Sequence, residues 1–369
     1  MVQQKHRSAL KDAKRIVVKA GSKVLVEHSG RPDEQQLKAL VDELAGIQNA
    51  GGEVAFVSSG AVGAGLDALN FVKRPKEIPD LQMAAAVGQI SLMTLYHDLF
   101  KANKITVGQV LLTHDALKDR ERHLNARNTL LNLIENRVIP IINENDAIST
   151  EEIKFGDNDV LAALVAILID ADALVLLSTT DGLRNGDERV SYIEEVDDDI
   201  LGLVADKADN LSTGGMASKL KSAQLAAHNG VPVVIADGRK PRVLTNIFQG
   251  LDEGTLLFPK AGNMSKRKSW IAFFNRSEGH LVVDDGAVEA LEKGKSLLPV
   301  GIQEVQGTFE VGAMVDIQSL KGEPIARGLV ELSSGDIQNL KGQQTAGKSG
   351  EVIHRDNMVL LQEGNTHGC

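Results

Sequence analysis

The sequence predicts a mainly parallel α/β sheet covered by helices on both sides, followed by a smaller β-rich domain. Three observations lead there. From Arg15 to about Phe258, short apolar runs alternate with segments of helical spacing, the pattern of strand–helix–strand units in a parallel sheet. After a polar, basic stretch, Pro259 to Lys268 (PKAGNMSKRK), the pattern changes to short apolar alternations separated by glycine, which suggests a small β-barrel-like domain. The 369 residues also exceed what one hydrophobic core usually serves, so two domains are expected.

Composition narrows the function classes. Hydrophobic content of 43% and charged content of 24% are ordinary for a globular protein. The net charge of −10 argues against a chain that binds nucleic acid as a whole, although a few local lysines can still hold an anionic substrate. The only cysteine is Cys369, so no disulfide can form within the chain, which fits a reducing cytoplasm. The segment MVQQKHRSALKDAKR lacks an apolar signal core. The longest apolar run, Val160 to Ile169, is too short to span a bilayer. A cytoplasmic protein with no membrane partner is expected.

Arg15 to Lys19 (RIVVK) reads as a strand closed by a lysine, with Ala20 to Lys23 as a turn in which Gly21 permits close backbone approach to a phosphate. Neither a Walker loop nor G-x-G-x-x-G is present, and a lysine in this place is by itself also an ordinary surface charge. A helix begins at Pro32-Asp33, carries Leu37, Leu40, Val41, Leu44 and Ile47 on one face, and ends at Gly51-Gly52. Glu53 to Val57 is the next strand. It runs into Ser58 to Gly65 (SSGAVGAG), a loop of small residues, Gly60 among them, whose N–H groups could hold an anion. Tight helix–strand packing through glycine accounts for the same residues. Asp80 to Phe100 is a helix whose Met83 and Met93 read as core or subunit contacts. Ile105 to Leu112 is a strand and Arg120 to Arg137 an amphipathic helix. His114 and His123 have no metal-ligand spacing and read as ordinary polar residues.

The centre of the chain is the most informative. The strand Val138 to Ile142 runs into Asn143-Glu144-Asn145-Asp146, and a second polar cluster, Gly156-Asp157-Asn158-Asp159, precedes the buried helix face Val160 to Val165. Ligands in open α/β sheets bind at the carboxyl ends of strands, and helix N-termini offer free N–H donors. A solvated loop with Asp157 or Asn158 as an N-cap fits the spacing equally well, and the residues alone leave both readings open. The loop from Glu144 to Gly156 carries few apolar residues and is expected to be mobile.

Asp172 to Leu177 is a strand ending in Ser178-Thr179-Thr180-Asp181, and Asn185-Gly186-Asp187 is a turn. Val190 to Asp209 is acidic and reads as a peripheral excursion. Ser212 to Lys219 (STGGMASK) is a Gly-Gly loop feeding a helix with Leu220, Ala223, Ala226 and Ala227, a pattern that fits a nucleotide-phosphate cradle. Val231 to Ala236 is the next strand. Beyond the linker, His280 to Asp284, Gly301 to Val305 and Gly312 to Ile317 read as strands, with one helix at Gly286 to Lys293. From Trp270 to Cys369 there are eight Lys/Arg and fourteen Asp/Glu, a net of −6, the wrong balance for an electrostatic RNA footprint.

The runs VVKAGSKVL, VSSGAVGAG, DRERHLNARNTL, INENDA…EIKFGDND and STGGMASKL, in this order over nearly the whole chain, resemble the glutamate 5-kinase family. VDDGAVEAL, SLLPVGI and VIHRDNMVLL resemble a PUA domain. The resemblance implies the three-layer α/β/α sandwich of amino acid kinases over residues 1–265 and a PUA-like domain over 275–362; the polar tail over 363–369 is expected to be disordered. It implies transfer of the ATP γ-phosphoryl group to the side-chain carboxylate of L-glutamate, the first step of proline synthesis. It also implies Mg²⁺ carried with ATP, inhibition by proline, glutamyl phosphate reductase as the downstream enzyme, and a homo-oligomer, dimer or tetramer.

Residue by residue, Lys19 and Lys219 match the family's catalytic lysines and Asp159 the residue that holds them. Ser59, Asp146 and Asn158 match glutamate-binding positions, with Asn143 and Asp157 as neighbours. Gly21, Gly60, Gly214 and Gly215 can add backbone donors. Ser178, Thr179 and the run Thr213, Gly214, Gly215, Met216, Ala217, Ser218, Lys219 correspond to nucleotide-binding positions. One departure concerns the adenine side: the family often has Asp where this chain has Thr179, with Asp181 two residues further on. No metal cage of protein ligands is implied. Two other readings compete. One is another member of the fold, acting on acetylglutamate, carbamate, aspartate or UMP, against which the PUA-like segment and the paired polar clusters argue. The other is an RNA-binding protein with an inactive kinase fold, against which Lys19, Asp159, Lys219 and the acidic C-terminal region argue.

Overall fold

The computed structural model describes residues 2–26, 32–71, 73–113, 117, 120–149, 158–205, 215–259, 277–343 and 350–361. The chain divides into two compact units. The first carries an 8-stranded sheet and the second a 5-stranded sheet.

In the first unit the strands are β1 (Arg15–Ala20), β2 (Glu53–Val57), β3 (Val107–Leu112), β4 (Ile139–Glu144), β5 (Ala173–Ser178), β6 (Arg184–Asn185), β7 (Glu188–Arg189), β8 (Tyr192–Ile193), β9 (Val233–Asp237) and β10 (Thr255–Leu257). The helices are α1 (Val2–Ala9), α2 (Ser22–Leu25), α3 (Glu34–Asn49), α4 (Ala61–Ala68), α5 (Ile78–Ala102), α6 (Arg120–Glu135), α7 (Asn158–Leu168), α8 (Asp198–Ala205), α9 (Met216–His228) and α10 (Val243–Phe248). The sheet order is β3-β4-β2-β1-β5-β9-β10-β8, and β6 pairs with β7 in a separate ribbon. Neighbours are parallel from β3 to β9; β10 runs antiparallel to β9, and β8 is parallel to β10.

The central strands are apolar runs because both faces are covered. Ile16, Val18 and Ala20 of β1 join Phe56, Val175 and Leu177 in one core with Leu37 to Leu44 of α3, Tyr96 and Phe100 of α5, and Val243 of α10. Alternation along β1 turns Val17 and Lys19 to the opposite face, where α7 packs against β1, β5 and α9. Helix α7 is buried on nearly every side, through Leu161, Ala162, Ala163, Val165 and Ala166, as expected for a helix that is apolar all round. Register levels the strand ends: Lys19 lies opposite Val57 of β2 and Leu176 of β5. The carboxyl ends of β1, β2 and β5 therefore form one rim.

Helices α4 and α5 cross in backbone contact. A Cβ added at Gly65 would lie 1.7 Å from Ala84 O, and one at Gly88 would lie 1.9 Å from Ala61 O. At the other edge Arg7 of α1 is fully buried. It donates to the carbonyls of Glu253 at 2.7 Å, Ser191 at 2.8 Å and Gly254 at 2.8 Å, which fastens α1 to the β8–β10 margin.

Several expectations need correction. The loop over Ser58 to Gly65 is confined to Ser58-Ser59-Gly60, because α4 starts at Ala61; Gly65 serves helix packing. Strand β4 continues through Asn143 and Glu144, and α7 already begins at Asn158. The peripheral excursion after Val190 contributes Tyr192–Ile193 to the main sheet. Met83 is 44% exposed, whereas Met93 packs against the core. The linker from Lys260 onward, the tail from Gln362, His114, and the loop over 150–157 lie outside the described residues. The preceding Asn145 to Ser149 is tied down: Asn145 N donates to Leu112 O at 2.8 Å and Gln82 Nε2 to Ser149 O at 3.0 Å.

The second unit contains β11 (Gly279–Val283), α11 (Asp285–Glu292), β12 (Ile302–Gln306), β13 (Met314–Ser319), β14 (Pro324–Leu329), α12 (Ser334–Leu340) and β15 (Met358–Leu360), with sheet order β12-β11-β13-β14-β15. Asp284 caps α11, accepting from Ala287 N. Helix α12 was not expected from its sequence; Ser333 caps it, accepting from Asp336 N. Leu281, Ile317, Ala326 and Ile353 are among the residues of a separate core.

Candidate active site

Two lysines from distant parts of the chain converge on one carboxylate. Lys19, near the end of β1, places Nζ 2.6 Å from Asp159 Oδ1. Lys219, in the first turn of α9, donates from Nζ to Asp159 Oδ2 at 2.6 Å. Asp159 sits in the first turn of α7 and is fully buried, and the two lysines are nearly so. Burial pushes the Asp159 carboxyl up, but the ammonium groups of Lys19 and Lys219 outweigh it and hold the group below the ordinary carboxylate value. Asp159 thus holds two ammonium groups together in one buried cluster. Each Asp159 oxygen faces one lysine ammonium group. Among the described residues no group of three or more His, Cys, Asp or Glu could hold an ion.

Gly21 follows β1 directly. A Cβ there would lie 3.6 Å from Lys19 Nζ, so any side chain would lie over the ammonium group. Gly60 has φ of +104°, a conformation that favours glycine, and it turns the chain from β2 into α4.

A second cluster lies at the ends of β2 and β4. Asn158 Nδ2 donates to Ser58 O at 2.7 Å and to Asn143 Oδ1 at 2.8 Å, and lies 3.3 Å from Ser59 Oγ. Asn143 Nδ2 donates to Gln89 Oε1 of α5 at 2.8 Å. Asn158 and Asp159 are consecutive at the head of α7, so the polar cluster and the lysine pair share one helix turn. Asp146 is half-buried in the turn that follows β4. The sequence-predicted residues Ser59, Asn143 and Asn158 are thus brought together, and Lys19, Asp159 and Lys219 likewise. Asp157, Thr213 and Gly214 lie outside the described residues.

Ser178 closes β5 and Thr179 follows it, one strand away from Lys19, with Ser178 opposite Asp237 of β9. Arg239 donates to Thr179 O at 2.6 Å and pairs with Asp237 at 2.9 Å. Asp181 is engaged by Arg184, with bonds at 3.0 Å to both oxygens. Gly215 precedes α9, and Met216, Ala217 and Ser218 form its first turn, where the helix dipole favours an anion.

Sequence reasoning did not single out Gln89, Ser58, Tyr96 or the Asp237–Arg239 pair. For Gln89 a signal exists: it lies on a face of α5 with Leu81, Ala85, Leu92 and Tyr96, and a glutamine in an apolar stripe calls for a partner.

The chain matches the family model described as the amino acid kinase family over residues 14–237 and that of the PUA domain over residues 279–349. It is 44% identical to a glutamate 5-kinase of Chromohalobacter salexigens, with 97% of this chain and 99% of the relative covered. It is 42% identical to a glutamate 5-kinase of Caldanaerobacter subterraneus subsp. tengcongensis, with 96% and 100% covered. Among solved structures, a carbamate kinase from Giardia lamblia bound to AMP-PNP is similar at a TM-score of 0.48 and 18% identity, over 68% of this chain and 100% of that one.

Proposed function

This chain belongs to the glutamate 5-kinase family of amino acid kinases, and from that membership we propose the following course for its reaction. An oxygen of the γ-carboxylate of L-glutamate attacks the γ-phosphorus of ATP, the bond to the β-γ bridging oxygen breaks, and L-glutamyl 5-phosphate and ADP result. The observation that carries this reading is the Lys19–Asp159–Lys219 arrangement beside the Asn143–Asn158–Ser59 cluster.

The chemistry suits these groups. A γ-carboxylate has a reference pKa of about 4.3 and is already an anion at neutral pH, so no general base is needed and no proton moves. The difficulty is to bring an anion to a polyanion, which calls for positive charge and positioning. Lys19 and Lys219 supply the charge to the transferring phosphoryl oxygens, and Asp159 keeps both ammonium groups in place. The first turn of α9, with Gly215 to Ser218, and the end of β5 at Ser178 and Thr179 are assigned to the nucleotide. Mg²⁺ would arrive with the triphosphate and neutralise its oxygens. Ser59, Asn143, Asn158 and Asp146 are assigned to glutamate, with Asp146 facing the α-ammonium. Asp157 is assigned beside them, and Thr213 and Gly214 beside the nucleotide, on the resemblance alone.

Inhibition by proline, a homo-oligomeric state and supply of product to a glutamyl phosphate reductase belong to the same proposal. A coupled assay with ATP and a panel of acceptors tests it: L-glutamate, N-acetyl-L-glutamate, L-aspartate, carbamate and UMP. L-glutamate is expected to dominate by kcat/KM, and a higher value for any other acceptor would overturn the assignment.

A further inference from the structure

We propose that Gln89 is a positioning residue that holds the acceptor-site amides in the orientation their backbone anchors set, so that Asn158 presents an oxygen to the substrate. The inference rests on the assignment of Asn143 and Asn158 to the glutamate site. It starts from two backbone groups whose roles cannot be exchanged. The Glu144 N–H can only donate, and it meets Asn143 Oδ1 at 3.0 Å. The Ser58 carbonyl can only accept, and it receives Asn158 Nδ2 at 2.7 Å. These two anchors set both side-chain amides. Asn158 spends its other amide hydrogen on Asn143 Oδ1 at 2.8 Å. Asn143 must then turn its own Nδ2 the other way, where Gln89 Oε1 accepts it at 2.8 Å.

Both amide hydrogens of Asn158 are therefore used within the protein, and Oδ1 is what it can offer a ligand. An α-ammonium carries donors and no acceptor, so it matches; a group that can only accept would meet oxygen against oxygen. Without an acceptor at position 89, the buried Nδ2 of Asn143 loses its partner, which is the costly way to break a hydrogen bond. The Asn143 amide can then turn, and Asn158 with it.

The fold places Gln89 firmly. It follows Gly88, where α5 touches the backbone of α4 at Ala61 and Gly65. Two turns further along the same helix, the Tyr96 hydroxyl lies 2.8 Å from Ser58 Oγ. One helix thus braces both the Asn143 side and the Ser58 side of the cluster.

The test uses the full-length protein with ATP and two acceptors, L-glutamate and 2-hydroxyglutarate, whose hydroxyl replaces the ammonium and can donate or accept. Gln89→Met keeps the length and removes the acceptor. It is expected to raise the KM for glutamate by about tenfold, leave the KM for ATP within about twofold, and narrow the preference for glutamate over 2-hydroxyglutarate by about tenfold. Gln89→Glu keeps an accepting oxygen and is expected to recover most of the glutamate KM. Gln89→Asn, one carbon short of reach, gives the same readout should Gln89→Met melt too low to assay. A role in packing alone would lower the melting midpoint without narrowing the preference, and that outcome overturns the inference. So does a Gln89→Glu variant as poor as Gln89→Met. Asn158→Ala separates the two levels. If it raises the glutamate KM while the Gln89 variants do not, the inference alone falls. If it leaves that KM unchanged, the glutamate assignment of the site falls and the inference with it.

Discussion

Lys19 Nζ and Asp159 Oδ1 meet at 2.6 Å between a strand and a helix head that are distant in sequence, with Asp159 wholly buried. A buried pair of this kind is weak evidence for net stability, but removal of one partner strands the other charge. Here the carboxylate serves two ammonium groups, so its removal takes that partner from both at once. Asp159→Asn is expected to destabilise the first unit by about 3–5 kcal/mol and to depress kcat. Urea unfolding together with steady-state assay checks both, and a variant with normal stability and normal kcat would refute the bracing role.

The same carboxylate gives a pH signature. Its pKa in the folded protein is depressed, so the unfolded chain binds protons more readily. The stabilisation is present in full above the unfolded value of about 3.9 and is lost as pH falls through the lower folded value. The stability gap between wild type and Asp159→Asn should be constant from neutral pH to about pH 4 and should close below it. Urea midpoints for both proteins at several pH values measure this, and a gap that closes well above pH 4 contradicts it.

Lys19→Ala and Lys219→Ala should each lower kcat by roughly 10²-fold or more, by analogy with lost electrostatic donors. Lys→Arg should recover only part, because a planar fork does not reproduce a point charge in a site where each lysine nitrogen sits 2.6 Å from one carboxylate oxygen. Near-normal turnover in both alanine variants sinks the assignment.

The glycine crossing yields a contrast. A Cβ at Gly65 would fall 1.7 Å from Ala84 O, whereas one at Gly46, in the last turn of α3, meets nothing within 4 Å. Gly65→Ala is expected to cost on the order of 3 kcal/mol or more through forced separation of α4 and α5, with loss of glutamate binding because α5 carries Gln89. Gly46→Ala should stabilise by about 0.5–1 kcal/mol. Thermal melts of the pair decide it.

Much of this arrangement is legible in the sequence, and the gaps have physical causes. Strands such as Glu53–Val57 were bounded correctly because apolar runs ended at glycine or serine. Asn143 and Glu144 read as loop because polar side chains at a strand end look like a turn, yet β4 continues through them to pair with β3. Nothing in the sequence marks Arg7 as buried, and only the folded chain brings the carbonyls of Ser191, Glu253 and Gly254 to it. Lys19, Asp159 and Lys219 are ordinary charges in one dimension. Their meaning depends on alternation in β1 and on α7 and α9 lying on the same face of the sheet.

The boundary between the units is also testable. All strands of the first sheet precede Phe258, and Arg7 is satisfied within that unit. A chain ended at Pro259 should fold and retain phosphoryl transfer, with regulation or assembly altered. An insoluble or inactive product would show that the first unit is not independent.

The last prediction concerns proline. Proline shares with glutamate the α-carboxylate and a cationic α-nitrogen but lacks the γ-carboxylate, so the groups that hold the amino-acid end can recognise both. Asp146, a charged residue proposed for that set, is half-buried in the turn after β4, and the turn is held by Asn145 N on Leu112 O and by Gln82 on Ser149 O. A carboxylate on such a turn suits a cationic nitrogen of either ligand. Asp146→Asn nearly keeps the shape and removes the charge. A lost charge-assisted hydrogen bond is worth about 1.5–3 kcal/mol, or roughly ten- to a hundred-fold in affinity. The variant should therefore weaken glutamate binding and proline inhibition together, with a smaller change in the KM for ATP. Glutamate saturation curves at several proline concentrations, in wild type and variant, measure both at once. Unchanged proline inhibition beside a large rise in glutamate KM would show that the two ligands do not share Asp146, and a separate site for proline would follow.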